Sequence, residues 1–246
     1  MKYSIPLFLF IIIASCKKEQ LPPGTATLTV INAVADGVRL VTNFTGTDSI
    51  KYLNARSLTY SSSSRLIRYV GQQQVGFYKW PDTTSKDKPL FNLSLDLPVG
   101  SISTLVLTGT STNPDTVFVR DQISYFPATD SSMEFSFANF SPGRNVRVRI
   151  KGSTATEAQL SYKTITSFKR YAVASTVADY VFEFVDETDR VVATYTTVGI
   201  RNAGAASALR WIQGSFTLAL VGLPGATGTY AQKLIMINHA QFIGIN

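Results

Sequence analysis

The chain of 246 residues contains one cysteine, Cys16, and one histidine, His239. A single cysteine excludes an intrachain disulfide, a two-cysteine redox motif and a cysteine-rich zinc site. A single histidine excludes a His-rich metal site, and any serine–histidine–aspartate triad would have to use His239. Apolar cores, rather than disulfide bonds, must therefore hold the fold together.

Long apolar runs and blocks of like charge are also missing. The apolar run over 5–13 has nine residues, whereas a membrane-spanning helix needs about 20. Lys and Arg outnumber Asp and Glu by 23 to 16, which gives a formal net charge of +7. Because these basic residues are scattered, they are typical of a solvated cationic surface, and we expect no nucleic acid partner.

The N-terminus has the features of a bacterial export signal. Lys2 supplies a short basic region, the run over 5–13 supplies the apolar region, and the small residues Ala14 and Ser15 precede Cys16. This arrangement resembles the lipobox, in which the cysteine is lipidated on sulfur, becomes the new N-terminus and is acylated again. The alternatives are an ordinary signal peptide with an incidental cysteine and a short buried strand.

The lipobox resemblance implies a lipoprotein signal peptide over 1–15, lipidation of Cys16 with palmitate-type acyl chains, and a tether over 16–24. The tether sequence ends in Pro-Pro-Gly, which is typical of a spacer that lifts a domain off a membrane. We therefore expect a lipoprotein of the outer membrane, facing either the periplasm or the cell surface. Its membrane partner would be reached through the lipid anchor.

Beyond residue 24 the chain has the pattern of an all-β protein. Short alternating runs rich in Val, Ile, Thr, Phe and Tyr are interrupted by Gly, Pro, Asn and Asp about every 8–12 residues. No window keeps apolar residues at helical spacing over three turns. The pattern predicts two tandem immunoglobulin-like antiparallel β-sandwich domains.

Internal similarity sets the number of domains. The segment 27–33 (TLTVINA) is similar to 134–140 (EFSFANF), at an offset of 107 residues. The segment 100–109 (GSISTLVLTG) is similar to 214–222 (GSFTLALVG) with one residue deleted. Two matches in the same order predict a duplicated β-domain, and chance similarity between β-strands is the alternative.

The turn-rich stretch around Pro127 marks the boundary between the two copies. We place the first β-sandwich domain at 25–124 and the second at 130–246. The two domains are thus about equal in length, and each is long enough to bury its own core.

The repeated segments also resemble a known family. The residues 27–46 (TLTVINAVADGVRLVTNFTG) and 134–152 (EFSFANFSPGRNVRVRIKG) are similar to the opening motif of the domain of unknown function 4397, which is common in lipoproteins of Bacteroidota. The first copy has Ala35-Asp36 where the family usually has Ser-Pro, and neither copy keeps the family's acidic Val-Asp-Val position. The family has no established activity, so the resemblance implies a fold and a location but no chemistry.

Two features are candidates for ligand binding. Trp80 lies beside a loop, and an exposed aromatic ring can stack on a sugar. Arg147, Arg149 and Lys151 alternate with apolar residues, so a strand would place them in a row on its outer face, where they could meet phosphate or an acidic glycan. The alternatives are a tryptophan buried in a sandwich core and an ordinary solvated sheet face.

Three sites match a modification pattern. Ser49, Thr83 and Thr116 each follow an aspartate and precede Ile, Thr or Val. This pattern resembles the O-glycosylation signal of Bacteroidota, and we treat the three hydroxyl groups as possible glycosylation sites.

No arrangement of residues points to catalysis. The acidic residues are scattered, and the cluster over 186–189 has the composition of a hairpin turn rather than the spacing of a calcium loop. We expect no catalytic residues, no metal and no cofactor, and a non-catalytic binding or structural role whose partner is a glycan or another envelope protein. The alternative is a carbohydrate-active or other hydrolase that uses carboxylates.

Overall fold

The computed structural model describes residues 24–45, 55–81, 87–202 and 211–239. The predicted signal peptide, Cys16, Ser49 and Thr83 lie outside these residues. The prediction of an all-β protein is confirmed, because 53% of the chain is strand and 3% is helical. Two short 3₁₀ helices, at Ile200–Asn202 and Gly228–Tyr230, are the helical elements of the described ranges.

Seventeen strands are described, eight in the first half and nine in the second. The first half contains β1 (Thr25–Asn32), β2 (Leu40–Asn43), β3 (Ser57–Leu58), β4 (Ser63–Tyr69), β5 (Gly71–Lys79), β6 (Phe91–Leu97), β7 (Ile102–Gly109) and β8 (Pro114–Arg120). The second half contains β9 (Ser132–Asn139), β10 (Val146–Ile150), β11 (Thr156–Leu160), β12 (Thr164–Ile165), β13 (Lys169–Ala172), β14 (Val181–Val185), β15 (Val191–Thr196), β16 (Ser215–Val221) and β17 (Lys233–Asn238).

The strands form two sheets in each half. In the first half the strand orders are β4-β1-β7-β8 and β3-β2-β5-β6. In the second half they are β12-β9-β16-β17, with β13 also paired to β9, and β11-β10-β14-β15. Each half is thus a β-sandwich with the same strand order, and the two sandwiches span 25–120 and 132–238.

One strand pair in each sandwich is parallel, which differs from the antiparallel prediction. β1 pairs with β7, and β9 pairs with β16, in parallel register. These four strands are buried along almost their whole length. A strand that is central in its sheet and covered on both faces has no solvated side, which explains why the alternation of polar and apolar residues is weak there.

Each sandwich has its own apolar core. In the first, residues such as Leu28, Val30, Phe77 and Leu105 are buried together. In the second, the core is rich in aromatic rings, with Phe135 only 5.1 Å from Phe182 and 5.2 Å from Phe216 between ring centroids. Inward-pointing positions of facing sheets supply these side chains, as the period-2 pattern requires.

Equivalent hydrogen bonds support the duplication that the sequence predicts. The buried side-chain amide of Asn32 donates to the backbone oxygens of Val38 and Leu58, and its oxygen accepts the Val34 N–H. At the offset of 107 residues, Asn139 makes the same set of bonds to the backbone groups of Arg144, Leu160 and Ser141. In both sandwiches, this asparagine ties the end of the first strand to the loop that crosses to the other sheet.

We expect Asn32→Ala and Asn139→Ala to lower the free energy of unfolding by similar amounts, about 2–4 kcal/mol each. Each change leaves two carbonyl groups and one N–H buried without their partner. Urea unfolding followed by circular dichroism measures the effect. Asn92→Ala, at an exposed position of β6, is the control and should change stability by less than about 0.5 kcal/mol. If either asparagine substitution changed the stability as little as the control does, the two asparagines would not have equivalent roles.

Candidate functional site at the interface of the two sandwiches

A third apolar cluster lies between the sandwiches. The first sandwich contributes Ile31, Ala33 and Val106, and the second contributes Ala138, Phe140, Ala219, Val221 and Ile237. These residues alternate along their strands with residues of the two sandwich cores, so they point out of each sandwich. The sheet containing β1 therefore packs on the sheet containing β9, and the molecule has four β-layers.

Arg65 on the edge strand β4 crosses this interface. Its Nη1 donates to the backbone oxygen of His239 and its Nη2 to that of Asn238, both at 2.9 Å. Its Nε donates to the Thr29 hydroxyl at 3.3 Å within the first sandwich. A planar guanidinium suits this task because it offers several donors in fixed directions. One side chain thereby joins β1, β4 and the end of β17.

His239 and Asp121 lie beside this arginine. The His239 Nε2 is 2.8 Å from the Thr217 hydroxyl, which is 2.6 Å from the Ser136 hydroxyl. The Asp121 carboxylate accepts a hydrogen bond from the Thr104 hydroxyl at 2.7 Å. The His239 Nδ1 and the Asp121 Oδ2 are 3.9 Å apart, which is too long for a hydrogen bond.

Burial controls the charge of both groups. Desolvation raises the pKa of Asp121 to about 6, although the Thr104 hydroxyl and the Arg65 charge act in the opposite direction. Desolvation, together with the nearby Arg65 charge, lowers the pKa of His239 to about 4. At neutral pH the imidazole is therefore neutral, and the Asp121 carboxylate is ionised near the Arg65 charge.

Glu134 fixes the linker at the same end of the interface. This fully buried side chain accepts hydrogen bonds from the Ser124 N–H at 3.1 Å and from the Ser215 hydroxyl at 2.7 Å. Ser124 belongs to the segment between β8 and β9, whereas Ser215 begins β16. The linker is thus bonded to the second sandwich.

The other end of the interface has separate contacts. The Thr108 hydroxyl donates to the Phe140 oxygen at 3.2 Å and also lies 3.2 Å from the Tyr162 hydroxyl. The Lys163 ammonium is 2.8 Å from the Asp115 carboxylate. The two sandwiches are therefore held at both ends of their contact as well as at its apolar centre.

The arrangement of Thr217, His239 and Asp121 contains the groups of a hydroxyl–imidazole–carboxylate triad without its geometry. The Thr217 hydroxyl is buried on the central strand β16 and shares its contacts with Ser136. The imidazole and the carboxylate are not hydrogen bonded to each other. The Thr217 hydroxyl is bonded to the His239 Nε2, whereas the His239 Nδ1 is buried without a hydrogen-bond partner.

Two cavities are relevant to binding. One, of about 490 Å³, opens beside the interface and is lined by Thr27, Arg56, Arg65, Leu66, Ile67, Arg68, Ile102 and His239. The other, of about 560 Å³, lies on the second sandwich and is lined by Asn145, Val146, Arg147, Gln159, Leu160, Ser161, Asp186 and Glu187.

The basic row predicted on β10 is placed on the outer face of its sheet, but two of its members have carboxylate partners. Arg147 forms an ion pair with Asp189, and Arg149 pairs with Glu183 at 2.9 Å on the neighbouring strand. Lys151 is exposed just after the strand. An anionic ligand would have to compete with these carboxylates, so a binding role of the row stays a prediction.

Trp80 lies apart from that row, in the first sandwich. Its ring is partly exposed, and the Arg39 guanidinium lies 4.7 Å from the ring centroid, which covers one face. Thr116 is half-buried on β8, and the neighbouring Asp115 pairs with Lys163. The structure does not bring the predicted ligand-binding residues of the two sandwiches together, and their roles stay predictions.

The acidic cluster at 186–189 forms a hairpin turn. The Asp186 carboxylate accepts bonds from the Thr188 hydroxyl, the Thr188 N–H and the Arg190 N–H, and it pairs with Arg144 at 2.7 Å. The Thr188 hydroxyl contributes most to lowering the pKa of Asp186 to about 2. Within the described residues, no three His, Cys, Asp or Glu side chains cluster as metal ligands would.

The sequence did not single out Arg65 or Asp121. Arg65 lies among polar and basic residues of an exposed-looking strand, and its acceptors are 173 and 174 residues away in the chain. Asp121 lies at the start of an irregular linker. No local pattern marks either residue, because the signal is the contact between two sheets.

We expect Asp121→Asn to become less destabilising as the pH rises. The folded-state pKa of about 6 lies above the ordinary 3.8, so the stability from Asp121 is complete below the lower value and is lost as pH rises through the higher one. The free energy of unfolding of the variant, minus that of the wild type, should rise by about 1 kcal/mol between pH 5 and pH 8. Urea unfolding at both pH values measures this difference.

His239→Asn is the matched control, with the opposite sign. The folded-state pKa of His239, about 4, lies below the ordinary 6.5. The stability that the neutral imidazole contributes is therefore present above pH 6.5 and is lost as the pH falls toward 4. The free energy of unfolding of the His239→Asn variant, minus that of the wild type, should rise by about 2 kcal/mol from pH 8 to pH 5. Differences that do not change with pH, or that change with the same sign in both variants, would contradict the burial of this pair.

Comparisons with known proteins assign no family. No family model matches the chain, and no curated protein matches it. One similar solved structure is the tip fimbrial protein Mfa3 from Porphyromonas gingivalis with a C-terminal truncation, at 9% identity and a TM-score of 0.24, covering 88% of this chain and 100% of that chain. A TM-score this low carries no argument about function.

Proposed function

We propose that this chain is a lipid-anchored protein of the cell envelope with a non-catalytic structural or binding role. The main support for this proposal is the structural role of the side chains that could take part in catalysis. His239 and Thr217 are buried in the contact between the sandwiches and are hydrogen bonded to each other. Glu134, also buried, accepts hydrogen bonds from Ser215 and from Ser124 of the linker. These side chains hold the two sandwiches and the linker together.

The carboxylate-hydrolase alternative would need two acids facing one cleft, at least one of them with a raised pKa. Among the described carboxyl groups with a shifted pKa, the values of Asp115, Asp130 and Asp186 are lowered and that of Asp121 is raised. Asp121 is enclosed by Thr104 and Arg65 in the interface. The geometry therefore favours the non-catalytic role.

The location rests on the N-terminal sequence. The lipobox-like segment that ends at Cys16 and the resemblance to the domain of unknown function 4397 support a lipoprotein of the outer membrane, and a surface position would give it access to glycans or other envelope proteins. No helix among the described residues is long and apolar enough to cross a membrane. In this proposal the acyl chains on Cys16 supply the attachment.

We expect Cys16→Ala to abolish the incorporation of a palmitate analogue and to move the protein out of the detergent phase on phase partitioning. The acyl chains contribute about 0.8 kcal/mol for each CH₂ group buried in lipid, and the variant has no atom to carry them. Expression in a bacterial host with lipoprotein processing, followed by both measurements, tests this.

Ser15→Ala is the control, since it keeps a small residue before the cysteine and should leave both readouts unchanged. Incorporation of the analogue into the Cys16→Ala protein would show that Cys16 is not the lipidation site.

A further inference from the structure

The exposed apolar side chains are concentrated at one end of the molecule. Nine large hydrophobic side chains are exposed among the described residues. Five of them lie at the end where the chain enters β1, which we name the entry end: Ile67, Tyr69, Val99, Tyr125 and Val198.

In the first sandwich, three of these residues surround the start of β1. A side chain added at Gly24 would meet both methyl groups of Val99 at 3.2 Å, so Val99 lies directly against the first described residue. Tyr69 is the Cα partner of Thr25, and Ile67, two residues earlier on β4, is the partner of Thr27 on the same face. All three therefore lie around the start of β1, with Val99 against Gly24 and Tyr69 opposite Thr25.

The linker and the second sandwich add to the same end. Tyr125, which is 84% exposed, belongs to the segment between the end of β8 and the start of β9. The Val198 oxygen accepts the indole N–H of Trp211 at 3.1 Å, and Trp211 lies in the turn before β16 begins. Both sandwiches share this end, because Arg65 bonds to the backbone at the end of β17, beside the start of β16.

The opposite end has a different surface. Trp80 lies there, with its N–H bonded to the Arg39 oxygen just before β2, and so does Tyr230, which lies against Gly37. Val191 begins β15 beside the 186–189 turn. These three are less exposed, at 41–44%, than the five residues of the entry end, at 61–84%.

The short tether brings the entry end near the anchor. Cys16 and Gly24 are eight residues apart, which spans at most about 28 Å when fully extended. The eight residues of β1 alone span about 26 Å. Lipid on Cys16 would therefore keep Gly24, at the entry end, within about 28 Å of the anchor.

We propose that the entry end of the molecule, through Ile67, Tyr69, Val99, Tyr125 and Val198, contacts the lipid surface into which the acyl chains of Cys16 insert. This inference rests on the proposed lipid anchor and adds an orientation to it. Two of the five are tyrosines, whose rings have an apolar body and a polar hydroxyl that suit the headgroup region.

Two carboxylates at this end are paired with arginines, whereas Asp179 beside Val198 accepts the Gly199 and Ile200 N–H groups. Asp96 on β6 pairs with Arg120 at 3.3 Å, and Asp130 in the linker pairs with Arg170. These carboxylates are neutralised by arginines, which reduces their repulsion from anionic headgroups. Lys17 and Lys18 follow the cysteine directly and would favour the same surface.

Single cysteine reporters test the proposal. Val99→Cys and Val198→Cys replace side chains that are each 73% exposed at the entry end, and Val191→Cys is the matched control at the opposite end. Cys16 is the only native cysteine and carries no free thiol when lipidated. Each purified lipidated variant is labelled with an NBD maleimide and reconstituted into vesicles of phosphatidylethanolamine and phosphatidylglycerol, with or without brominated acyl chains.

We expect a blue-shifted emission at positions 99 and 198, with quenching by brominated lipid about twofold or more greater than at position 191, since side chains in a membrane interface lie ~5–10 Å deep. Equal quenching at all three positions in vesicle-bound protein would overturn the proposal. Val198→Cys keeps the test decisive if Val99→Cys fails to fold. Labelling of the wild type would instead show that Cys16 is not acylated, which is a failure of the proposed anchor and not of the orientation.

Discussion

The contact between one sheet of each sandwich is the interaction on which the rest of the molecule depends. It buries the outer faces of β1, β7, β9 and β16, which are already covered on their inner faces by the two cores. The small side chains of Ala33, Ala138 and Ala219 let the sheets approach closely. Without this contact, each sandwich would expose an apolar stripe to water.

Polar groups set the register of this contact. Apolar packing alone is tolerant of sliding, whereas Arg65 must reach two particular backbone oxygens at the end of β17. The linker adds a second constraint, because Glu134 receives bonds from Ser124 and Ser215. The burial that raises the pKa of Asp121 and lowers that of His239 is the electrostatic cost of this specificity. The same contact places the entry ends of both sandwiches at one end of the molecule.

The sequence predicted those features that depend on local pattern. Alternation on β10 separates Val146 and Val148 in the core from Arg147 and Arg149 outside, and the match of Asn32 with Asn139 identified two residues that make the same bonds. The internal repeat predicted equivalent residues correctly because both copies keep the same strand order.

Features that depend on distant contacts could not be predicted. Thr104, Ser136 and Thr217 are residue types that suit a solvated sheet face, yet all three are buried at the contact. The carboxylates that pair with Arg147 and Arg149 come from β14 and from the turn that follows it. They are distant from these arginines in the sequence, so the ion pairs could not be predicted. The parallel pairing of β1 with β7 joins strands at opposite ends of one repeat. Each of these depends on which surfaces meet, and period-2 alternation does not carry that information.

The central claim is that the two sandwiches behave as one body, and the two tryptophans allow a direct test. Trp80 lies in the first sandwich and Trp211 in the second, and Trp80→Phe leaves Trp211 as the only indole. The variant should be unfolded in urea while Trp211 fluorescence reports the second sandwich and far-ultraviolet circular dichroism reports both. We predict that the two signals change together in a single transition. A Trp211 transition that is complete while about half of the dichroism signal remains would show that the sandwiches unfold separately and would contradict it.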